Sequence, residues 1–579
     1  MKLEWNLTHL FANEEDFFSM VEEIQERLDT FLEHTKEVTK DKFLAVLEEY
    51  FDVKEMTNRV LVYGSLRYYD NVKDAQSIEL KSVGEGLQNE VNQKLTQIER
   101  AILGLGKDTV FFWLRENSKL EKYCHFLDDL FRKQQYIPDE KTSLEIQEYT
   151  DEWNQAKNRY HSILEEMDYG EILVDGEMIK LTSSNFPKYL ASRNRTVRQD
   201  TYFTVNQKFL EKEGEITSVF DTVFYDKLCL AKGKGYSSVL ESSLFEENID
   251  PRIIDTLIHV VHKSLPMMQK YLKLKASFLK ITDPHLYDFG VPLDFGIKKK
   301  YTIDEAISIV KEALKPLGDE YLEVVDILLD GHIDALLRSE KHQSIIFSWN
   351  GYSFLNFHGA YGDLKNLVHE IGHSVNDYLS CKNVPFMYMV STVFVGETSS
   401  IVNEILLNRY LYEQAKTKEE KIFYLSKEIE NYFTSVFKQT MYTEFERELY
   451  RLREQDHFHG EELSNTFLKF IKMYYGEDIC YDDVTSTEWT RLGHLVRWSY
   501  YSYTYATGLL MASVVVHSLV DERTLTKEDY IKFLSSGSSM YSLPLLETIG
   551  VDMTDSTVME QGFKILENDI EELEKLINY

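Results

Sequence analysis

The chain has 579 residues, 43% hydrophobic and 13% aromatic, which is enough apolar material for packed cores and more chain than one core ordinarily serves. Its formal net charge of −33 argues against a nucleic-acid partner, because phosphate binding draws on clustered Lys and Arg. No run of eighteen uninterrupted apolar residues suggests a bilayer span, and residues 1–7 (MKLEWNL) place an acid and an amide where an export signal needs an apolar stretch. The expectation is a cytoplasmic protein without membrane contact. Cys124, Cys229, Cys381 and Cys480 stand singly, so neither a disulfide framework nor a cysteine zinc knuckle is indicated.

Between residues 14 and 35, Phe17, Met20, Val21, Ile24, Leu28, Phe31 and Leu32 recur at three- and four-residue steps among acids, which predicts an amphipathic helix. No proline precedes Pro138, and residues 40–164 read as successive long helices broken near Gly104-Leu105-Gly106 and Ile137-Pro138. The period then changes. Ile172 to Val174, Asp175-Gly176 and Met178 to Leu181 predict a hairpin, since Asp-Gly supplies the positive φ values of a tight turn. Residues 1–190 are thus expected to form a helical N-terminal lobe ending in this hairpin, and residues 191–579 a second, larger domain.

Helical periodicity resumes after Pro187 and runs through Val219, from Ile253 to Leu279 and from Ile303 to Leu329. Residues 344–359 alternate around Asn350-Gly351, a second hairpin signal. Its edge suits either an added peptide strand or a small covering sheet. His358, at the end of this run, reads as a structural histidine.

Residues 364–379 read LKNLVHEIGHSVNDYL. Leu364, Leu367, Val368, Ile371 and Val375 have helical spacing, so His369 and His373 project from one side and form a pincer for a single metal ion. Glu370 is rotated about 100° around the helix, beside the metal without binding it, where a base that activates metal-bound water belongs. Asp363 is the predicted N-cap. Gly372 sits mid-helix at a cost of about 1 kcal/mol relative to alanine unless close packing or the site offsets it.

A catalytic zinc takes three protein ligands and keeps one position open. Glu397 and Glu404, seven apart, share a face of a predicted helix among Val393, Phe394, Ile401, Leu406 and Leu407. A carboxylate in such surroundings needs a metal or hydrogen-bonding partner, but spacing does not choose between the two acids. Residues 489–508 read WTRLGHLVRWSYYSYTYATG. If helical, they bring His494, Tyr501 and Tyr505 within about 40° of each other, as donors suited to a developing oxyanion. The same aromatic stripe also suits core packing.

Together these residues resemble the thimet oligopeptidase and oligoendopeptidase F family of zinc peptidases, closest to the oligoendopeptidase F branch. The likeness rests on HEIGH at 369–373, FVGE at 394–397 with Asn403-Glu404 after it, and YTYATG at 503–508. It extends to NRTVR at 194–198, GYSSVLE at 235–241, Asn248-Ile249-Asp250 and EALKPLG at 312–318. The resemblance implies a mostly α fold, a helical clamshell with a deep substrate channel and small β elements near the active site. It also implies one zinc ion held by His369, His373 and Glu397, water activation by Glu370, and oxyanion donors at His494, Tyr501 and Tyr505. Glu404 is left to support the ligands or the fold. Two departures stand out. Asn376 replaces a histidine common among relatives that is not a ligand there, and the spacing from His494 to the tyrosines is off by one residue from either branch.

The expected function is a zinc-dependent endopeptidase that hydrolyses internal bonds of short oligopeptides. One alternative is a zinc carboxypeptidase of similar build, which would need a cationic pocket for the terminal carboxylate. The other is a non-catalytic peptide-binding protein, which would have no use for Glu370.

Overall fold

The structure is a computed structural model that describes residues 3–578 apart from Lys36, Glu37, Asp294, Lys298 and Ser344. Ser344, which heads the run read as the second hairpin, lies outside the described residues. The chain is mostly helical, as expected. It opens with α1 (Glu14–His34), α2 (Phe43–Asp70) and α3 (Ala75–Gly104), and α4 (Glu140–Glu166) follows after shorter helical segments. On α1, Phe17, Ile24, Leu28 and Phe31 are buried, while Met20, Val21 and Leu32 pack around that core partly exposed.

Both predicted hairpins form. Asp175 and Gly176 take φ of 52° and 90°, and Asn350 and Gly351 take 50° and 79°, the paired positive values of a two-residue turn that follows strand twist. The first turn joins β1 (Glu171–Val174) to β2 (Glu177–Lys180). Next come α5 (Glu213–Gly233) and α6 (Arg252–Phe278), the latter continuing through Pro266. A short strand that periodicity did not announce, β3 (Ile333–Asp334), lies parallel to β5 (Tyr352–Phe354), which pairs antiparallel with β4 (Phe347–Trp349) across the second turn. The order β3-β5-β4 makes β4 an edge strand.

The remaining elements that matter for the site are α7 (Tyr361–Asn383), α8 (Val393–Gln414), α9 (Lys418–Tyr432), α10 (Lys438–Arg453), α11 (Gly493–Arg497), α12 (Ser502–Val516) and α13 (Lys527–Leu534). The chain makes two compact units. One comprises residues 1–135, 298–407 and 515–550; the other comprises 136–297, 408–514 and 551–579. Compactness therefore does not follow the division at residue 190 drawn from periodicity, because the chain leaves the first unit and re-enters it to supply the metal-pincer helix.

One described segment, Ser502–Asp521, is long and apolar enough to cross a bilayer, yet 72% of its apolar window is buried inside the protein, as in a core helix. The four cysteines are free.

Candidate metal centre

The site is built on α7. Leu364, Leu367, Val368, Ile371 and Val375 are all fully buried, and this fixes the rotation of the helix so that His369 and His373 face away from the core. The helix starts three residues earlier than its apolar pattern, at Tyr361. Asp363 is consequently not the N-cap but the third helical residue. Its Oδ2 accepts from the backbone N–H groups of Ala360 at 2.8 Å and His358 at 3.1 Å, satisfying donors at the helix start from inside the first turn.

Gly372 explains how a second helix reaches the histidines. A Cβ there would lie 2.5 Å from Ser400 Cα and 2.8 Å from Ser399 O and Ser400 N, so only a bare Cα lets α8 pass this close. Thr398, Ser399 and Ser400 line the contact as buried small residues. Asn403 ties the pair further: its amide donates to Val368 O at 3.1 Å and its carbonyl accepts from the Tyr321 hydroxyl at 2.9 Å.

This approach sets Glu397 against the histidine pincer. His369 Nε2 and His373 Nε2 are 3.2 Å apart, and Glu397 Oε2 lies 3.5 Å from the first and 3.6 Å from the second. Zinc ligands at about 2.0–2.1 Å in tetrahedral array are separated by roughly 3.3–3.4 Å, so the triangle has the size that the ion requires. Glu404, about two turns further along α8, points to the other side of His369. Its Oε1 is 2.8 Å from His369 Nδ1, and its Oε2 is 3.0 Å from Lys365 Nζ. A proton on Nδ1 donated to Glu404 leaves the Nε2 lone pair free to face a cation.

The electrostatics agree with this geometry. Burial would raise the Glu397 carboxyl, but its bond to His373 and the nearby imidazoles hold it down at about 2. Burial would lower His373, but Glu397 outweighs it and lifts the imidazole to about 9. Proton and metal thus compete for the same donors. Burial opposes ionisation of Glu404 as well, and the His369 bond together with Lys365 reverses it.

Glu370 is 5% exposed, and its Oε2 has no hydrogen-bond partner among the described residues. Burial pushes its pKa up, with His369 and His373 opposing. A carboxylate left with an unused oxygen beside the donor triangle is available as a proton acceptor. Its backbone is held from β4 and β5: Ser348 Oγ lies 2.9 Å and Ser353 Oγ 3.2 Å from Glu370 O, with Ser374 Oγ bonded to both. Residues 347–349 of β4 line a cavity of about 430 Å³ together with His369, Glu370, His373 and Glu397. Periodicity had not singled out these serines or Lys365, although Lys365 stands four residues before His369 on the same helix. Asp377, four after His373, also lines the cavity. Burial raises it to about 6, and it accepts from Gly351 N at 3.0 Å.

The tyrosine-rich run departs from expectation. It is not one helix: α11 ends at Arg497, residues 498–501 are non-helical, Tyr500 has φ of 49°, and α12 begins at Ser502. The helical phasing of His494 with Tyr501 and Tyr505 therefore fails. The break is enforced by tertiary partners. Lys227 Nζ donates to Leu495 O and Trp498 O at 2.8 and 3.0 Å, and Glu446 Oε1 accepts from Tyr500 N at 2.8 Å. Tyr501 and Tyr505 remain ring neighbours at 5.3 Å, whereas Tyr503 is buried. His494 packs on Tyr442, its Nε2 has no partner among the described residues, and burial, helped by Lys227, lowers it to about 4. Its imidazole is neutral at pH 7. These three residues belong to the second unit and the metal donors to the first.

A sequence model of peptidase family M3 matches residues 188–565. Oligopeptidase PepF of Bacillus subtilis (strain 168) is 27% identical, over 99% of this chain and 87% of its own length. The solved structure of a candidate peptidase from Chlamydophila abortus superimposes with a TM-score of 0.89 at 25% identity, over 99% of this chain and 98% of that one. That of oligoendopeptidase-F from Enterococcus faecium gives 0.74 at 24% identity, over 98% and 99%.

Proposed function

This chain belongs to peptidase family M3, and from that premise we propose that it is a zinc-dependent endopeptidase acting on internal bonds of short oligopeptides. The observation that carries the reading is the triangle of His369 Nε2, His373 Nε2 and Glu397 Oε2, 3.2 to 3.6 Å on a side. The activities for which the relatives are named, oligopeptidase and oligoendopeptidase, support the substrate class.

In this reading His369, His373 and Glu397 hold the ion, and Glu404 fixes the tautomer and tilt of His369. Bound there, zinc supplies a Lewis acid that polarises a carbonyl and acidifies water. Glu370 takes the proton of the attacking water and returns it to the leaving amine, a role for which its unpartnered oxygen and raised pKa suit it. The outer edge of β4, which lines the cavity, offers backbone groups to an extended peptide. His494, Tyr501 and Tyr505 are proposed as oxyanion donors on the family resemblance, with neutral His494 keeping an N–H to give.

Mass spectrometry of a peptide mixture after incubation with the zinc-loaded protein tests the reading. Internal cleavage is expected; stepwise loss of C-terminal residues would instead mean a carboxypeptidase, and binding without cleavage a peptide carrier. Glu370→Gln should keep its zinc and lose turnover by several orders of magnitude. Near-native turnover in a zinc-loaded Glu370→Gln would end the proposed mechanism.

A further inference from the structure

The second unit contains a cavity of about 640 Å³, an ordinary size for a small-molecule site. In a chain of net charge −33 its lining is unusual, since Lys275, Lys427, Lys438 and Arg491 face only two carboxylates, Glu430 and Glu488. Most of these charges already have partners. Lys275 and Lys427 take one oxygen each of Glu430, at 2.7 and 2.9 Å. Glu488 accepts from the Tyr202 hydroxyl at 3.0 Å and lies 3.4 Å from Arg491.

Lys438 is the exception. Among the described residues its ammonium has neither a hydrogen-bond acceptor nor an ion-pair partner, and its nearest polar neighbours include the phenols of Tyr442 and Tyr475. Among the described residues no hydrogen bond holds either of those hydroxyls, and the hydroxyl of Tyr271, beside Glu430 on a residue 2% exposed, is buried without a partner at hydrogen-bonding geometry. An ammonium has three donors and no acceptor, so the cavity presents to its open space a group of donors that no acceptor among the described residues takes up and that an entering ligand could use.

The backbone is irregular at the same place. A π-helical turn, Phe433–Phe437, joins α9 to α10, puts Phe433 and Thr434 into the lining and delivers Lys438 directly after it. Such turns are rare within helices and occur frequently at functional sites.

We propose that this cavity binds a small organic monoanion, a carboxylate on an aromatic or aliphatic body, with Lys438 and the hydroxyls of Tyr442 and Tyr475 on the carboxylate and Tyr287, Phe289 and Phe433 around the body. A single uncommitted ammonium matches one negative charge; a dianionic phosphate would leave a charge uncovered. The cations come from three helices and a 3-10 segment, and Lys275 and Arg491 lie far in the chain from Lys427 and Lys438, which is why no basic cluster shows in the sequence. None of these residues belongs to the metal centre, so the inference does not rest on the peptidase reading.

Isothermal titration calorimetry on the full-length protein, with and without chelation of its metal, tests it. The probes are N-acetylphenylalanine, its uncharged amide, and phenyl phosphate. The acid should bind saturably in both metal states, and the amide about tenfold or more weakly, since a charge-assisted contact is lost. Lys438→Met and Tyr475→Phe should each weaken the acid by about tenfold, and the second variant, which loses a single oxygen, serves if the first does not fold. Equal affinity for acid and amide overturns the proposal, as does wild-type affinity in a folded Lys438→Met. So does binding that vanishes on chelation, which would belong to the metal centre, or no saturable binding of any probe at millimolar concentration. Tighter binding of phenyl phosphate than of the acid overturns the carboxylate assignment.

Discussion

Replacing Gly372 by alanine should damage zinc binding far more than it damages the fold. The new methyl would meet backbone, 2.5 Å from Ser400 Cα and 2.8 Å from Ser399 O and Ser400 N, so no side-chain rotation relieves it. Ordinary contact begins near 3.4 Å, and α8 has to retreat by about 0.9 Å to reach it. Glu397 lies three residues before Ser400 on that helix, and donor distances tolerate only about ±0.2 Å. For stability two terms oppose each other: alanine gains about 1 kcal/mol of helix propensity, and overpacking costs about 1–3 kcal/mol. The metal-free variant should therefore lose no more than about 2 kcal/mol, while zinc affinity falls by roughly 100-fold or more. Competitive chelator titration reads the affinity, and denaturant unfolding of the metal-free protein reads the stability. Gly362→Ala is the control, because a Cβ there meets open space and should leave affinity unchanged. Zinc affinity within about threefold of wild type in Gly372→Ala, about 0.7 kcal/mol, would refute the idea that this helix approach sets the donor triangle.

Glu397→Ala should abolish tight zinc binding, and Glu404→Ala should weaken it by about 10- to 100-fold through loss of the His369 bond; the reverse order in a chelator titration would exchange their roles. Tyr501→Phe or Tyr505→Phe should lower kcat by roughly 10²- to 10³-fold with zinc content unchanged, whereas Tyr503→Phe, at a buried ring, should cost about 1 kcal/mol of stability and little activity. Wild-type turnover in both of the first two would remove them from the mechanism. Asp226 has both carboxylate oxygens buried without partners, and burial, with Glu152 adding and Arg453 opposing, raises it to about 7. A native pKa above the unfolded value contributes stability that is present in full below pH ~4 and lost as pH rises through about 7, up to about 4 kcal/mol. Denaturant unfolding between pH 4 and 8 should show stability falling more steeply in the wild type than in Asp226→Asn, the other raised carboxyls such as Asp377 contributing equally to both; parallel curves would contradict it.

Where the chain's own local chemistry decides the structure, the sequence was readable. Asp175-Gly176 and Asn350-Gly351 make their turns because few other residue pairs accept two positive φ values, and α7 forms where its five apolar residues said it would. The Trp498–Tyr501 break was not readable. No glycine or proline marks it, and it exists because Lys227 and Glu446, some 270 and 50 residues away in the chain, take the backbone groups that a continuing helix would have used. The choice between Glu397 and Glu404 also depended on tertiary structure. Both lie on one face of α8, and only the Gly372 contact decides that the first meets the Nε2 nitrogens and the second an Nδ1.

The order in which the chain is made bears on when the metal centre can exist. All three donors are translated by residue 397, yet α7 is also anchored from α13, where Leu534 O accepts from Asn376 Nδ2 at 3.0 Å. At synthesis rates of roughly 5–20 residues per second, the interval between the end of α7 and the end of α13 is on the order of 10–30 s. During that interval the histidine helix lacks one of its neighbours, and the first unit cannot close. A ribosome-bound fragment ending before residue 527 should therefore hold its histidines without a finished site, which is completed only once α13 has been made.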